Sequence, residues 1–184
     1  SVDGLSLALI ASSDAGKVHA RWPQVRVTAD YLAAATDPAI DLVVIASPND
    51  SHYPLACAAL LAGKHVVIDK PFTVAVDEAR DLVELAETRG RLLSVFHNRR
   101  WDGDFLGARA ALRSGALGDV RECISRFDRF APVPRDRWRG RPGPGAGLWF
   151  DLGPHVVDQA LCLFGLPQTV MAAVTARIKL LGRM

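Results

Sequence analysis

Along the first 120 residues, short apolar or β-branched runs alternate with turn residues and then with alanine- and leucine-rich stretches. βαβ units produce this alternation, because a strand covered on both faces reads as an unbroken apolar run while its covering helix shows one apolar face. Residues 5–11, apolar apart from Ser6, predict a strand, and 15–22 a helix. Residues 25–27 suit a short edge strand, and 30–35 a helical turn stopped by Asp37 and Pro38. The run 41–46 (DLVVIA) has no polar alternation after Asp41, which predicts a parallel strand with both faces covered. A helix from 51 or 54 to 61 follows, with Gly63 where a helix C-terminus favours a left-handed residue. Residues 65–69 (HVVID) predict the next strand. The stretch 76–89 predicts an amphipathic helix with Val76, Ala79, Leu82, Val83 and Ala86 on one face and Gly90 as its stop. A strand over 92–97 and a helix over 105–114, closed by Gly115 and Gly118, complete the series. Connections this regular predict right-handed crossovers within one parallel sheet.

After Gly118 the pattern changes. Residues 120–130 read as a strand, 131–147 as a loop rich in Arg, Pro and Gly, and Val156, Val157, Ala160, Leu161 and Phe164 as one face of a helix ending at Gly165. One further strand is expected over 169–178. Two strands and a helix enclose too little apolar surface for a core of their own, so 1–118 is read as one α/β unit and 119–184 as the beginning of a second.

Composition narrows the function classes. The chain has 184 residues, 22 Lys plus Arg against 20 Asp plus Glu, and a formal charge of +2, too little for general attraction to nucleic acid or a membrane surface. Its most apolar run, 54–63, is about half of a bilayer crossing. Cys57, Cys123 and Cys162 lie far apart without a CxxC pair, which supports neither a disulfide framework nor a zinc site and makes a cytoplasmic setting the expectation. No metal site is expected from the scattered histidines His19, His52 and His65. Six arginines between 126 and 141, with Phe127, Phe130 and Trp138 among them, suit a solvated loop or a clamp on a small anion better than a nucleic-acid site.

Open parallel sheets bind ligands at the carboxyl ends of their strands. Polar residues gather there: Ser12, Ser13 and Asp14; Ser47, Pro48 and Asn49; Asp69, Lys70 and Pro71; His97, Asn98, Arg99 and Arg100. Lys70, held between an apolar strand and a proline, directs an ammonium at the crevice, where it suits stabilisation of a carbonyl or alkoxide oxygen; Pro71 admits a cis bond. A second group is Gly143, Gly145, Gly147, Asp151, Gly153, His155 and Asp158. Pro154 suits a first helical turn, which would put His155 near a helix N-terminus and favour a neutral, proton-accepting imidazole oriented by Asp151 or Asp158.

Taken together these segments resemble the Gfo/Idh/MocA family of NAD(P)-dependent sugar and polyol dehydrogenases. AGKHVVIDKP, 62–71, is similar to the family's AGKHVxxEKP segment, and GLWFDLGPHVVD, 147–158, to its GGxxxDxGxHxxD segment; Ser47, Pro48, Asn49 and His52 fit the block before the first. HNRRWDGDF, Phe130, RDRWR and DQALCLFGLP resemble the branch that includes NADP-type scyllo-inositol dehydrogenases. The resemblance implies an oxidoreductase moving a hydride between NAD(P) and the CH–OH group of a sugar or inositol-like polyol. Lys70, Asp151 and His155 would be its catalytic and substrate-binding group, with His155 taking the hydroxyl proton, Lys70 holding the reacting oxygen and Asp151 tuning both. Ser47, Pro48, Asn49, His52, Asp69, Lys70 and Asn98 would line the nicotinamide half, with Trp138 and Arg139 closing over it. Ser12 and Ser13 would meet the adenosine ribose, and with Lys17 nearby they favour NADP, whereas Asp14 is the kind of acid that suits NAD. A homo-oligomer acting on a small molecule is implied for the full-length protein, without membrane or nucleic-acid partners.

The sequence departs from the family pattern in having no GxGxxG and in carrying Asp69 where Glu is usual. The implied fold is therefore α/β: a partial doubly wound, Rossmann-like parallel sheet lacking its first strand over 1–118, followed over 119–184 by the start of an α+β substrate and oligomerisation domain. An incomplete, weakly dinucleotide-binding piece of a dehydrogenase is the expectation. The alternative is a non-catalytic ligand-binding module of the same fold.

Overall fold

Five parallel strands form within residues 2–128 and 143–173, the part of the chain that this computed structural model describes. Strand β1 (Leu9–Ala11) leads to helix α1 (Ala15–His19), β2 (Arg26–Thr28) to α2 (Tyr31–Thr36), and β3 (Leu42–Ile45) through a 3₁₀ turn (Asn49–Ser51) to α3 (His52–Leu61). Then come β4 (His65–Asp69), α4 (Val76–Arg89), β5 (Leu93–Phe96), a second 3₁₀ turn (Asn98–Trp101), α5 (Gly103–Arg113) and α6 (Leu148–Phe164).

The expected boundaries of β4 and α4 are those observed, because each has its own stop signal. Gly90 takes φ +60° at the end of α4, and the Glu78 carboxylate accepts from the Ala75 amide at its start. Gly63, at φ +75°, ends α3 by letting the Gly63 and Lys64 amides donate to Leu60 and Ala59.

The single sheet that regular connections predicted is two sheets instead. β1 pairs with β2, while β3, β4 and β5 pair in that order, all in parallel. Expected double burial of β3 fails as well. Only Ile45 of that strand is buried and Val44 is 65% exposed, since alternation along β3 turns Val44 to the face opposite the α3–α4 core. The apolar core sits on the other face, where Ala56, Ala59 and Leu60 of α3 and Leu82 and Ala86 of α4 pack on Ile45, Val66 and Ile68.

Two further expectations change. Residues 120–128 and 169–173 form no strand, since none of them pairs with another segment among the described residues; the remainder of both expected strands lies outside the described residues. Helix α6 begins at Leu148, so Pro154 is inside it and His155 is mid-helix rather than at an N-terminus. Proline costs α6 one amide donor, that to the Phe150 carbonyl, but the helix continues to Gly165.

Candidate active site

Helix α6 and the loop before it lie across the carboxyl ends of β3, β4 and β5, with a side-chain contact at each. At β3, Asn49 is 4% exposed and its Nδ2 donates to the Gly145 carbonyl at 2.7 Å. Gly145 has φ +71°, and a Cβ there would stand 2.6 Å from Val74 Cγ1 and 2.8 Å from Asn49 Cβ, so only glycine lets the loop approach this closely.

At β4, the chain passes from Asp69 through Lys70 into a cis Lys70–Pro71 peptide. Lys70 is 8% exposed, and its Nζ donates to the Asp151 main-chain oxygen at 2.7 Å and lies 3.4 Å from Asp151 Oδ1. The Asp69 carboxylate accepts from the Lys70 amide at 2.8 Å. A buried ammonium must be paired and hydrogen-bonded, and α6 supplies both to Lys70 from one residue.

At β5, Arg100 grips Asp158 with two bonds, Nε to Oδ2 at 2.8 Å and Nη2 to Oδ1 at 2.6 Å. Gln159 Nε2 donates to the Arg99 carbonyl at 3.1 Å. His97 Nδ1 stands 3.8 Å from Asp158 Oδ1, beyond hydrogen-bond reach. The face of α6 bearing Asp151, His155 and Asp158 therefore looks onto the strand ends, as helical spacing of four and three residues requires.

His155, one turn beyond Asp151, is 5% exposed. Burial, then the positive charges of Lys70 and Arg99, push its pKa from 6.5 down to about 4, with Asp151 opposing. The neutral imidazole expected from a helix dipole is thus produced by burial and neighbouring cations. Neither Asp151 nor Asp158 orients its ring through Nδ1: that atom is buried without a hydrogen-bond partner, since Asp158 is taken by Arg100. His97 Nδ1 and Arg99 Nε are likewise buried and unpartnered. Three orphaned nitrogens at one sheet edge fit a site built to take a polar ligand.

The other expected site residues are placed as follows. Ser47 is half-buried, its hydroxyl 2.6 Å from Ser51 Oγ; Pro48 is exposed and Asn98 is exposed at the end of β5. His52 is 1% exposed, with Nδ1 2.8 Å from the Pro71 carbonyl and Nε2 3.0 Å from the Ser47 carbonyl, so its ring ties two strand-end loops together. Ser12 and Ser13 follow β1 in the other sheet, apart from the Lys70 group. Trp138, Arg139 and Phe130 lie outside the described residues. Sequence reasoning placed His97 and Arg100 among the polar residues at the strand ends and Gly145 in the second group, but gave none of the three a specific role. For His97 and Arg100 the signal was their place directly after a strand; for Gly145 there was none beyond the glycine itself.

The oxidoreductase family with an NAD-binding Rossmann fold matches residues 1–97, and the GFO/IDH/MocA C-terminal domain matches residues 105–180. The chain belongs to the GFO/IDH/MocA oxidoreductase family. Its parallel strands with covering helices are the GFO/IDH/MocA family's Rossmann-like NAD-binding architecture. Among similar GFO/IDH/MocA proteins, the uncharacterized oxidoreductase YdgJ of Escherichia coli (strain K12) is 58% identical over 164 residues, 89% of this chain and 47% of that protein. The scyllo-inositol 2-dehydrogenase (NADP(+)) IolW of Bacillus subtilis (strain 168) is 38% identical over 176 residues, 96% of this chain and 49% of that protein. The solved structure of the oxidoreductase yvaA from Bacillus subtilis superposes with a TM-score of 0.89 at 37% identity, covering 97% of this chain and 51% of that one. The chain spans about half the length of the curated relatives it matches. No helix among the described residues is long and apolar enough to cross a membrane.

Proposed function

We propose that this chain is part of an NAD(P)-dependent dehydrogenase that oxidises the CH–OH group of a sugar or inositol-like polyol, with Lys70, Asp151 and His155 as the reacting group. The observation that carries this reading is the meeting of a buried strand-end lysine with the helix turn that bears a neutral, buried histidine. Two family relatives are named for such chemistry, the scyllo-inositol 2-dehydrogenase of B. subtilis and the D-glucoside 3-dehydrogenase of E. coli.

A bound nicotinamide supplies the hydride acceptor. Ser47, Pro48, Asn49 and Asn98 would border it at the ends of β3 and β5, and His52 and Asp69 would hold those loops and Lys70 in place. Trp138 and Arg139 remain candidates to close over it. Lys70 Nζ, anchored on Asp151, would donate to the substrate hydroxyl oxygen and stabilise the negative charge that develops there as the proton leaves, the charge that then drives the hydride out. His155 takes the hydroxyl proton on its ring nitrogen, for which it must be neutral beforehand. Asp151 holds the ammonium through its backbone oxygen, so the lysine is aimed before substrate arrives.

NADP is favoured over NAD by the residues after β1. Asp14 Oδ1 accepts from the Lys17 amide at 2.9 Å, and the Asp14 amide donates to Ser12 Oγ at 3.1 Å, so that carboxylate is engaged in capping α1. The Ser13 hydroxyl and the Lys17 ammonium are exposed beside it and suit a 2′-phosphate. Residues 1–184 alone bind dinucleotide weakly on this reading, because no glycine-rich turn among them joins a strand to a helix that would hold the pyrophosphate. Titration of that chain with NADPH followed by nicotinamide fluorescence checks it, and micromolar binding would contradict it.

The deciding experiment incubates the full-length protein with NADP⁺ or NAD⁺ and a panel of inositols and sugars while nicotinamide reduction is followed by absorbance. Turnover with at least one polyol, lost in Lys70→Met and in His155→Ala, is expected. No reduction with any member of the panel would defeat the reading.

A further inference from the structure

His155 is well placed to take a proton and badly placed to lose one. With 5% exposure it has almost no contact with water, yet a base that accepts one proton per turnover must return it to solvent before the next. Lys70 is already protonated and hydrogen-bonded to Asp151, and Arg99 holds its charge against Asp102 at 2.8 Å, so neither can carry the proton away.

Among the described residues the other titratable groups acting on His155 are Asp151, whose carboxylate stands 3.4 Å from the Lys70 ammonium, and His97. Its side chain is 21% exposed, it follows β5 directly, and its charge acts on His155. On one side of it stand Asp158 Oδ1 at 3.8 Å and the Arg100 guanidinium; on another stands Asp69 at the end of β4. The two carboxylates stabilise an imidazolium there, while burial and Arg100 oppose it, and burial is the largest effect. The balance keeps His97 neutral in the resting protein, ready to accept. Both His97 Nδ1 and His155 Nδ1 are buried without a partner, as the two ends of a water-bridged path would be.

We propose that His97 is the proton outlet of His155, passing to solvent the proton that His155 takes from the substrate hydroxyl. This rests on the dehydrogenase reading above. The step balances simply. The O–H bond of the substrate breaks as the N–H bond of His155 forms, the hydride goes to the nicotinamide, and the proton then moves through a bridging water to His97 and from His97 to bulk water. Asp158 and Arg100 act as positioning residues, the carboxylate stabilising the transient imidazolium and the guanidinium holding the carboxylate.

The test uses the full-length protein with NADP⁺ and scyllo-inositol, replaced by whichever polyol turns over best. His97→Ala is expected to lower kcat at least tenfold with KM changed less than threefold, and added imidazole is expected to restore kcat in a concentration-dependent way. His97→Gln, which keeps most of the volume, is expected to show the same loss. Wild-type kcat in either variant, or a loss that imidazole does not relieve, overturns the proposal. A second readout needs no cofactor: histidine ring NMR of the wild-type and His97→Gln proteins, in which the His155 midpoint is expected to rise when His97 is removed. An unchanged midpoint also overturns the proposal. Should the wild type turn over no polyol while the midpoint still moves, the dehydrogenase reading is what has failed, and the outlet falls with it.

Discussion

Lys70 Nζ and the main-chain oxygen of Asp151, separated by 81 residues of sequence, are 2.7 Å apart. The bond joins the end of β4 to the first turn of α6 and leaves the ammonium buried but aimed. Because the acceptor is a backbone atom, no substitution at Asp151 removes it, whereas a substitution at Lys70 does. Lys70→Met is expected to lower kcat/KM of the full-length protein by about 100-fold or more, the usual cost of removing a donor to a developing oxyanion. It should also cost about 1.5–3 kcal/mol of stability, the usual worth of a hydrogen bond from a charged donor. Steady-state kinetics and denaturant unfolding check the two effects separately.

The depressed pKa of His155 makes stability depend on pH with a definite sign. The unfolded histidine titrates near 6.5 and the folded one at about 4, so below pH 6.5 the unfolded chain binds a proton that the folded chain refuses. Stability is expected to fall as pH drops from about 6.5 and to stop falling from this cause below about 4. The total is roughly 3 kcal/mol. His155→Gln should remove this part of the pH dependence, as seen by unfolding at pH 7 and at pH 4.5. The acidic limb of kcat/KM is likewise expected near pH 4 instead of near 6.5.

Gly145 carries two constraints at once, a left-handed φ and a close approach to Val74 and Asn49. Gly145→Ala meets neither, and a loss of at least about 2 kcal/mol is expected from backbone strain and overpacking together. Gly143, with open space where a Cβ would stand, is the control: Gly143→Ala should change the melting temperature little.

Arg100 and Asp158 form a doubly bonded pair in which the carboxylate side chain is 10% exposed and the guanidinium side chain 45% exposed. Arg100→Met takes the partner from that carboxylate and, because the guanidinium is itself half-exposed, is expected to destabilise by about 1–3 kcal/mol. Adding Asp158→Asn should return part of the loss, and the double-mutant cycle measures the coupling.

Cofactor choice is tested after β1. Ser13→Asp puts a second carboxylate beside Lys17, where a 2′-phosphate would be repelled. A rise of at least tenfold in KM for NADP⁺ with a smaller change for NAD⁺ is expected in the full-length protein.

Much of this was legible in the chain itself. β4 and α4 were readable to the residue because their apolar period and the stop of α4 at Gly90 are local properties. The two motif segments singled out Lys70, Asp151 and His155, and in the structure the contact of Lys70 with Asp151 joins those segments. What local sequence could not supply was partnership. DLVVIA reads the same whether one face of β3 is covered or both, so the exposure of Val44 is a tertiary fact, as is the split into two sheets. Nor did periodicity reveal that α6 starts six residues before Pro154, because a proline's tolerated position depends on what packs around the carbonyl it strands. The chain determined which residues are apolar, acidic or basic, and where helices stop. The tertiary structure alone decided that Asp158 belongs to Arg100, that Asn49 holds Gly145, and that His155 is kept neutral by burial and two cations, since burial and charge proximity exist only once distant segments meet.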